Sequence, residues 1–439
     1  MIPDNIKFIM EILHMHNFEA YIVGGAVRDY IIGVKPHDYD IFTNATGEKL
    51  LEILPGSKVI GGEERQAKIL TVIYDGVEIS QFRKSGDRTE TGNNLKEHIN
   101  TCDFTMNAIA MDIDENIIDM VDGKTDIKNK TIRFVGNPEE RIKEDKLRIL
   151  RAVRFNVKYG FSYERDTSLA ITAHGKELFG LPMERIRDEL MKILQYKTCL
   201  GKLGWVLQLI LPELYALKNI PGGHYHIEDN FTHAKLTFET ACDLTNNILL
   251  CFTGLIHDIG KSITFDEGHF YEHEHVGAKL AKEIMQKLKF SNEEIEYVFT
   301  LIDQHMWKKT DDISKKSYIK HFAALDKANV PIEDYVLLLY CDNQANLKNP
   351  RIKYADFIRS TDLIDKYYSL KAAKEPFKVS DLEVSGKDLM VLGYKPSPEI
   401  GRILSEVFEA VLLCQVENEK IKLIQYIKDN YIDGPRKGE

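Results

Sequence analysis

The sequence predicts an α+β fold, with a small N-terminal mixed sheet followed by helices to the C-terminus. Three observations carry this. Short β-branched or alternating segments bounded by glycines fill residues 1–130. From Asn137 onward the apolar pattern changes to helical periodicity. The 439 residues suffice for about three domains at roughly 150 each.

Taken in order, residues 1–18 read as a short amphipathic helix. "EAYIVGG" reads as a strand and "AVRDYIIG" as a helix started by the glycines. "YDIFT", "KILTVIYDG" and "VEISQF" read as strands, with "YDG" as the hairpin turn between the last two. Asn137 is a helix cap, Pro138 fits the first turn, and Glu140 sits where a capping-box acid belongs. Two breaks interrupt the helices, "NIPGGHYHIEDN" near 219–230 and "NLKNPRIKY" near 346–354. The final strong helix opens at "SPEIGRIL", with Ser397 as cap and Ile400, Ile403, Leu404, Val407, Phe408, Val411 and Leu412 on one face. There is no internal repeat. These changes divide the chain into a head (1–130), a helical neck (131–200), a helical body (201–345) and a helical tail (346–439).

Composition narrows the function classes. Apolar residues make up 44% and charged residues 29%, ordinary for a soluble globular protein. No apolar run approaches the roughly 18 residues of a membrane span, so no membrane role is expected. Acids lie among the apolar residues of the first twenty, which argues against a signal peptide. Six scattered cysteines without a CxxC pair read as reduced thiols in a cytoplasmic protein. A net charge of −10 argues against a surface coated in nucleic acid but allows a local basic groove.

The stretch "YIVGGAVRDYIIGVKPHDYD" concentrates chemistry. Gly24 and Gly25 permit close backbone approach at a helix N-terminus, a site for anions, and Arg28 lies one turn further on. Asp38 and Asp40 alternate across Tyr39, and on a strand they share a face. Two adjacent carboxylates suit a hard divalent cation such as Mg²⁺, which also takes phosphate oxygens. Glu78 adds a third acid on a neighbouring strand, and the set fits two-metal phosphoryl or nucleotidyl transfer. A lone DxD is usually a solvated turn; the glycines and the arginine ahead of it make the pattern specific.

Downstream, "DFTMNAIA" and "EDKLRILRAVRF" complete an ordered series with "GGAVRDYIIG" and "HDYDIFT". The series resembles the class II tRNA nucleotidyltransferases, the family of CCA-adding enzymes and bacterial poly(A) polymerases. The resemblance is strong over residues 20–160. It implies a polymerase β-like head and an RNA-binding tail. It implies that Gly24, Gly25 and Arg28 hold a triphosphate, that Asp38 and Asp40 hold Mg²⁺, and that Asp103 and Asn107 contact the ribose.

On a helix, Glu144 and Arg148 are four residues apart and Asp145 and Arg148 three, with Arg151 and Arg154 following at steps of three. Alone, that pattern reads as an ion-paired surface helix. The resemblance implies a protein template for base choice in Asp145 and Arg148, with Glu144 as support and Arg151 and Arg154 near the phosphates. Cytosine and adenine both present an amino donor beside a ring-nitrogen acceptor, which a carboxylate and an arginine can read together.

Two departures stand out. The family carries two arginines before "DFT", where this chain has Thr101 and Cys102. The segment from Phe82 to Asp103 is also shorter than in typical CCA-adding members, a feature that in the family accompanies addition of CC alone.

The second half holds an ordered set of histidines: His233, His257 beside Asp258 in "GLIHDIGK", His273 and His275 in "YEHEH", and His305, followed by Asp342. It resembles the HD phosphohydrolase signature. That implies His233, His257, Asp258 and Asp342 as ligands of a divalent metal, with His273 and His305 for a second. Imidazole and carboxylate together admit Mn²⁺, Ni²⁺, Fe²⁺, Zn²⁺ or Mg²⁺.

The expected function is therefore template-independent addition of CCA, from CTP and ATP, to the tRNA acceptor end, with no obligatory protein partner. The alternatives are an enzyme adding only CC or only A, a poly(A) polymerase, disfavoured by the lack of a basic tail, and an HD-type metal phosphohydrolase with an RNA-binding head.

Overall fold

A computed structural model describes residues 2–60, 70–84, 87–222, 228–307, 313–346 and 362–432. Parts of the expected strand at Lys68 and of both expected helix breaks (223–227 and 347–354) lie outside the described residues. The chain forms two compact units, Met1–Lys202 and Leu203–Glu439.

The first unit is built on a seven-stranded sheet. Its strands are β1 (Ala20–Val23), β2 (Asp40–Thr43), β3 (Lys58–Ile60), β4 (Thr71–Tyr74), β5 (Val77–Gln81), β8 (Ile109–Met111) and β9 (Ile117–Asp119), while β6 (Arg83–Lys84) and β7 (Asp87–Thr91) pair separately. The sheet order is β3-β4-β5-β2-β1-β8-β9. Within this sheet β2 and β5 are the parallel pair among the described strands, which sets Asp40 opposite Glu78. The "YDG" turn forms as expected, because Asp75 and Gly76 both take positive φ (49° and 76°) and join β4 to β5 tightly. Strands β8 and β9 were not anticipated, since "AIAM" shows no period-two alternation; all three residues of β8 are buried.

Gly24, at φ 98°, caps the helix Gly25–Ile32, which ends at the left-handed Gly33. Asn137 caps the helix Pro138–Glu144, accepting hydrogen bonds from the backbone N–H groups of Glu139 and Glu140.

Two local expectations are corrected. Asp38 lies in irregular backbone just before β2, so the two aspartates are not neighbours on one strand. The segment 144–155 is not one helix either. The first helix ends at Asp145 (φ −151°), and a second runs Arg148–Tyr159. Asp145 Oδ1 accepts the Leu147 N–H at 3.2 Å, a local side-chain bond that competes with helix continuation.

The second unit is helical. Asn230–Leu244, Ile248–Ile256, His273–Lys287, Asn292–Gln304 and Ile332–Ala345 surround the histidine set. The helix Pro398–Leu412 buries Ile403, Val407, Val411 and Leu412 as its periodicity predicts. Ser397 occupies its cap position but makes no side-chain cap bond, contrary to expectation. Among the described residues, no helix is long and apolar enough to cross a membrane.

Candidate nucleotidyl-transfer cleft and metal centre

In the first unit a cleft of about 370 Å³ is lined by Gly24, Gly25, Arg28, Asp40, Asp103, Asn107, Arg151 and Arg154, among others. A hydrogen-bonded chain organises it. Arg28, 5% exposed, donates to Asn107 Oδ1 at 2.5 Å. Asn107 Nδ2 donates to Asp103 Oδ1 at 3.0 Å. Arg151 donates to Asp103 Oδ2 through Nε at 2.7 Å and is ion-paired to it through Nη2 at 2.6 Å. Burial opposes the Asp103 charge, but Arg151 and the Asn107 bond hold its carboxyl below the usual range. The Arg28 guanidinium also lies over the Tyr159 and Phe155 rings at 4.8 and 5.4 Å.

Asp40 borders this cleft and also a larger one of about 1090 Å³ that contains Asp38 and Glu78. Burial, Glu78 and Asp38 push the Asp40 carboxyl up to about 6, against Arg83. Three carboxylates lining one cleft are the residue type that suits a hard divalent cation.

The two template candidates are not brought together. Arg148 is 3% exposed and donates to Glu144 Oε2 at 2.8 Å, the Arg141 carbonyl at 2.7 Å and the Thr101 carbonyl at 3.4 Å. Asp145 is ion-paired with Arg185 at 3.0 Å. Neither lines the cleft, whereas the adjoining Thr101 and Cys102 do. Arg154 pairs with the buried Glu189 and stacks on Phe155 at 4.5 Å. Sequence reasoning missed Arg185 and Glu189, both on the helix Met183–Leu194, and it missed Arg83. No local pattern marked Arg185 or Glu189, because their partners, Asp145 and Arg154, lie 40 and 35 residues away.

The second unit gathers every member of the predicted histidine set except His275, which pairs with Asp303 at its surface. His233 Nε2 lies 2.9 Å from Asp342 Oδ1 and 3.7 Å from Asp258 Oδ2. His257 Nε2 lies 3.3 Å from Asp258 Oδ2 and 3.6 Å from Asp342 Oδ1. The other Asp258 oxygen faces His273 Nε2 at 3.3 Å and His305 Nε2 at 3.7 Å. Asp258 thus stands between two pairs of imidazoles.

Three of these rings are aimed from behind. The Nδ1 atoms of His257, His273 and His305 bond the carbonyls of Gly254, Phe270 and Ile302 at 2.8, 2.9 and 2.6 Å, which turns each Nε2 inward. Burial disfavours the His257 cation, but Asp258 and Asp342 outweigh it and hold the ring up to about 10. The same carboxylates would be satisfied by a divalent cation, and the buried Nε2 of His257 has no hydrogen-bond partner. Glu228, 3.5 Å from His233 Nδ1, and Lys261, 2.6 Å from Asp258, are supports that sequence reading did not single out.

Gly260 is what lets this centre close. A Cβ there would lie 2.0 Å from the His273 carbonyl oxygen and 2.7 Å from the Gly277 nitrogen. Gly260→Ala should therefore displace the helix His273–Lys287 and cost about 1–3 kcal/mol of stability, and any metal the cluster holds should be bound more weakly. Thermal unfolding and metal stoichiometry check this; a variant as stable and as metal-loaded as wild type contradicts it.

Comparison with known proteins places these features. The poly A polymerase head domain model matches residues 20–133, which makes the first unit's sheet the head of a nucleotidyltransferase. The model described as "Probable RNA and SrmB- binding site of polymerase A" matches 160–199, and that described as "tRNA nucleotidyltransferase domain 2 putative" matches 273–427. The chain is 31% identical to the CCA-adding enzyme of Staphylococcus saprophyticus, covering 97% of this chain and 98% of that one. It is 30% identical to the CC-adding tRNA nucleotidyltransferase of Halalkalibacterium halodurans, over 99% of both. Its fold matches the crystal structure of the Bacillus stearothermophilus CCA-adding enzyme in complex with CTP, with a TM-score of 0.66, 24% identity and 98% coverage of both chains. The chain belongs to the tRNA nucleotidyltransferase family of the CCA-adding enzymes.

Proposed function

We propose that this protein adds nucleotides to the 3′ end of tRNA, building CCA from CTP and ATP. The observation that carries the reading is the single cleft in which the Arg28–Asn107–Asp103–Arg151 chain runs alongside Asp40. In the reaction the primer 3′ oxygen bonds the α-phosphorus and pyrophosphate leaves. The helix start at Gly24 and Gly25, with Arg28, offers the triphosphate N–H donors and positive charge. Asp103 and Asn107 hold the ribose, and Arg151 and Arg154 border the phosphates.

Nucleotidyl transfer of this kind needs a divalent metal, and Mg²⁺ suits the oxygens of Asp38 and Asp40, with Glu78 opposite on β5. When bound it supplies Lewis-acid stabilisation of phosphate charge. Six free cysteines accord with action in the reducing cytoplasm. The test is addition of each NTP separately to tRNA ending before, within and after CCA. Label entering only as CMP would favour the CC-adding reading, which the short Phe82–Asp103 segment and the CC-adding relative support.

Asp145 and Arg148 remain the base-reading pair in this proposal, because Arg148 sits directly behind the cleft wall at Thr101. Reading a base requires Asp145 to leave Arg185. Asp145→Ala should lower discrimination against UTP and GTP by roughly tenfold to a hundredfold, at 1–3 kcal/mol per hydrogen bond. Unchanged kcat/KM ratios among the four nucleotides would remove this assignment.

A second reading concerns the body. The convergence of His233, His257 and Asp342, and of His257, Asp258 and His305, favours an HD-type metal centre with hydrolytic activity on phosphoesters. Asp258, facing both imidazole pairs, suits a carboxylate shared by two cations.

A further inference from the structure

We infer that Arg83 is a phosphate-binding residue for the incoming nucleotide; this rests on the nucleotidyltransferase reading of the cleft. Among the described residues, four arginines line that cleft: Arg28, Arg83, Arg151 and Arg154. Three of them are committed to carboxylates, Arg28 to Asp29, Arg151 to Asp103 and Arg154 to Glu189. No ion pair or side-chain hydrogen bond joins Arg83 to another described residue, and its buried Nε has no partner. A buried guanidinium nitrogen without an acceptor is costly, and it persists in a cleft where a ligand supplies one.

The backbone beneath this side chain is firmly held. The Phe82 N–H donates to the Thr43 carbonyl at 2.7 Å, and Phe82 is fully buried. The Arg83 N–H donates to His98 Nδ1 at 3.4 Å. Gly92, just past the facing strand, approaches so closely that a Cβ would lie 2.6 Å from the Arg83 carbonyl oxygen. The guanidinium lies 6.0 Å from the Phe42 ring centroid, and Phe42 packs on His98 with centroids 4.0 Å apart. Burial keeps His98 neutral, so the positive charge on this wall belongs to Arg83.

Position selects the ligand's chemistry. Arg83 and Asp40 line the same cleft, and the α-phosphate must lie beside Asp40 for transfer. A fixed cation with unsatisfied donors at that point suits a polyphosphate better than a neutral base or ribose. Arg83 should therefore serve CTP and ATP alike, without contributing to base choice.

The test is calorimetric binding of CTP and of CMP to wild type, Arg83→Ala, Arg83→Gln and Arg83→Lys, with kcat and KM for CTP and ATP. Arg83→Ala should weaken CTP at least tenfold and CMP much less, raise KM for CTP and ATP by similar factors, and leave the CTP-to-UTP preference unchanged. Arg83→Lys should recover part of the loss by restoring the charge. Where Arg83→Ala fails to fold, Arg83→Gln keeps the aliphatic stem and makes the same measurement. CTP affinity within twofold of wild type in a folded variant overturns the proposal, as does an equal loss for CTP and CMP. Wild type that binds no nucleotide instead overturns the nucleotidyltransferase reading, and this inference with it.

Discussion

Asp40→Asn should reduce nucleotide addition by on the order of a thousandfold or more, about 4 kcal/mol at 1.4 kcal/mol per tenfold, while the protein stays folded. The substitution keeps the side chain's size and its place opposite Glu78. It removes the carboxylate that borders both clefts and that Glu78 and Asp38 crowd. Relief of that crowding should leave thermal stability equal to wild type or slightly higher, so lost activity cannot be ascribed to unfolding. Asp38→Asn should follow the same course. Single-turnover addition to tRNA lacking its 3′ end, with melting curves alongside, decides the matter. A folded Asp40→Asn enzyme that adds nucleotides near the wild-type rate excludes Asp40 as the cation ligand.

His257→Ala should abolish tight binding of a transition metal and any hydrolysis of 2′,3′-cyclic phosphoesters, yet spare nucleotide addition. His257 belongs to both ligand groups, so its loss damages each of them. The cleft proposed for nucleotidyl transfer is lined by first-unit residues and His257 lies in the second unit, which is why the two activities should separate. Metal content after dialysis, hydrolysis with Mn²⁺, Ni²⁺ and Mg²⁺, and CTP incorporation are the readouts. Parallel loss of hydrolysis and incorporation in a folded variant contradicts separate sites. Wild-type protein that retains no metal and hydrolyses nothing makes the cluster a structural ion-pair network.

Where a feature depended on local backbone chemistry, the amino-acid sequence determined it by itself. Gly24 and Gly33 bracket their helix because positive φ favours glycine there. Asp75 and Gly76 make the hairpin turn for the same reason. The helix Pro398–Leu412 buries the face that its periodicity marked. That His257, Asp258 and the other histidines would lie together was suggested by adjacent His-Asp before "IGK", a short pattern.

Tertiary structure decided what depends on partners distant in sequence. The field on Asp40 comes from Glu78, through the parallel register of β2 with β5. Asp145 turned out to pair with Arg185, forty residues away, and not with the nearby Arg148. An ion pair needs only proximity and opposite charge, so several arginines were equally good candidates on paper. That Arg83 has no carboxylate partner among the described residues could not be read from "QFRK", because an arginine's partners become visible only when neighbouring carboxylates have been placed. Likewise, the division of the two Asp258 oxygens between two imidazole pairs arises from packed helices, whose mutual approach Gly260 permits.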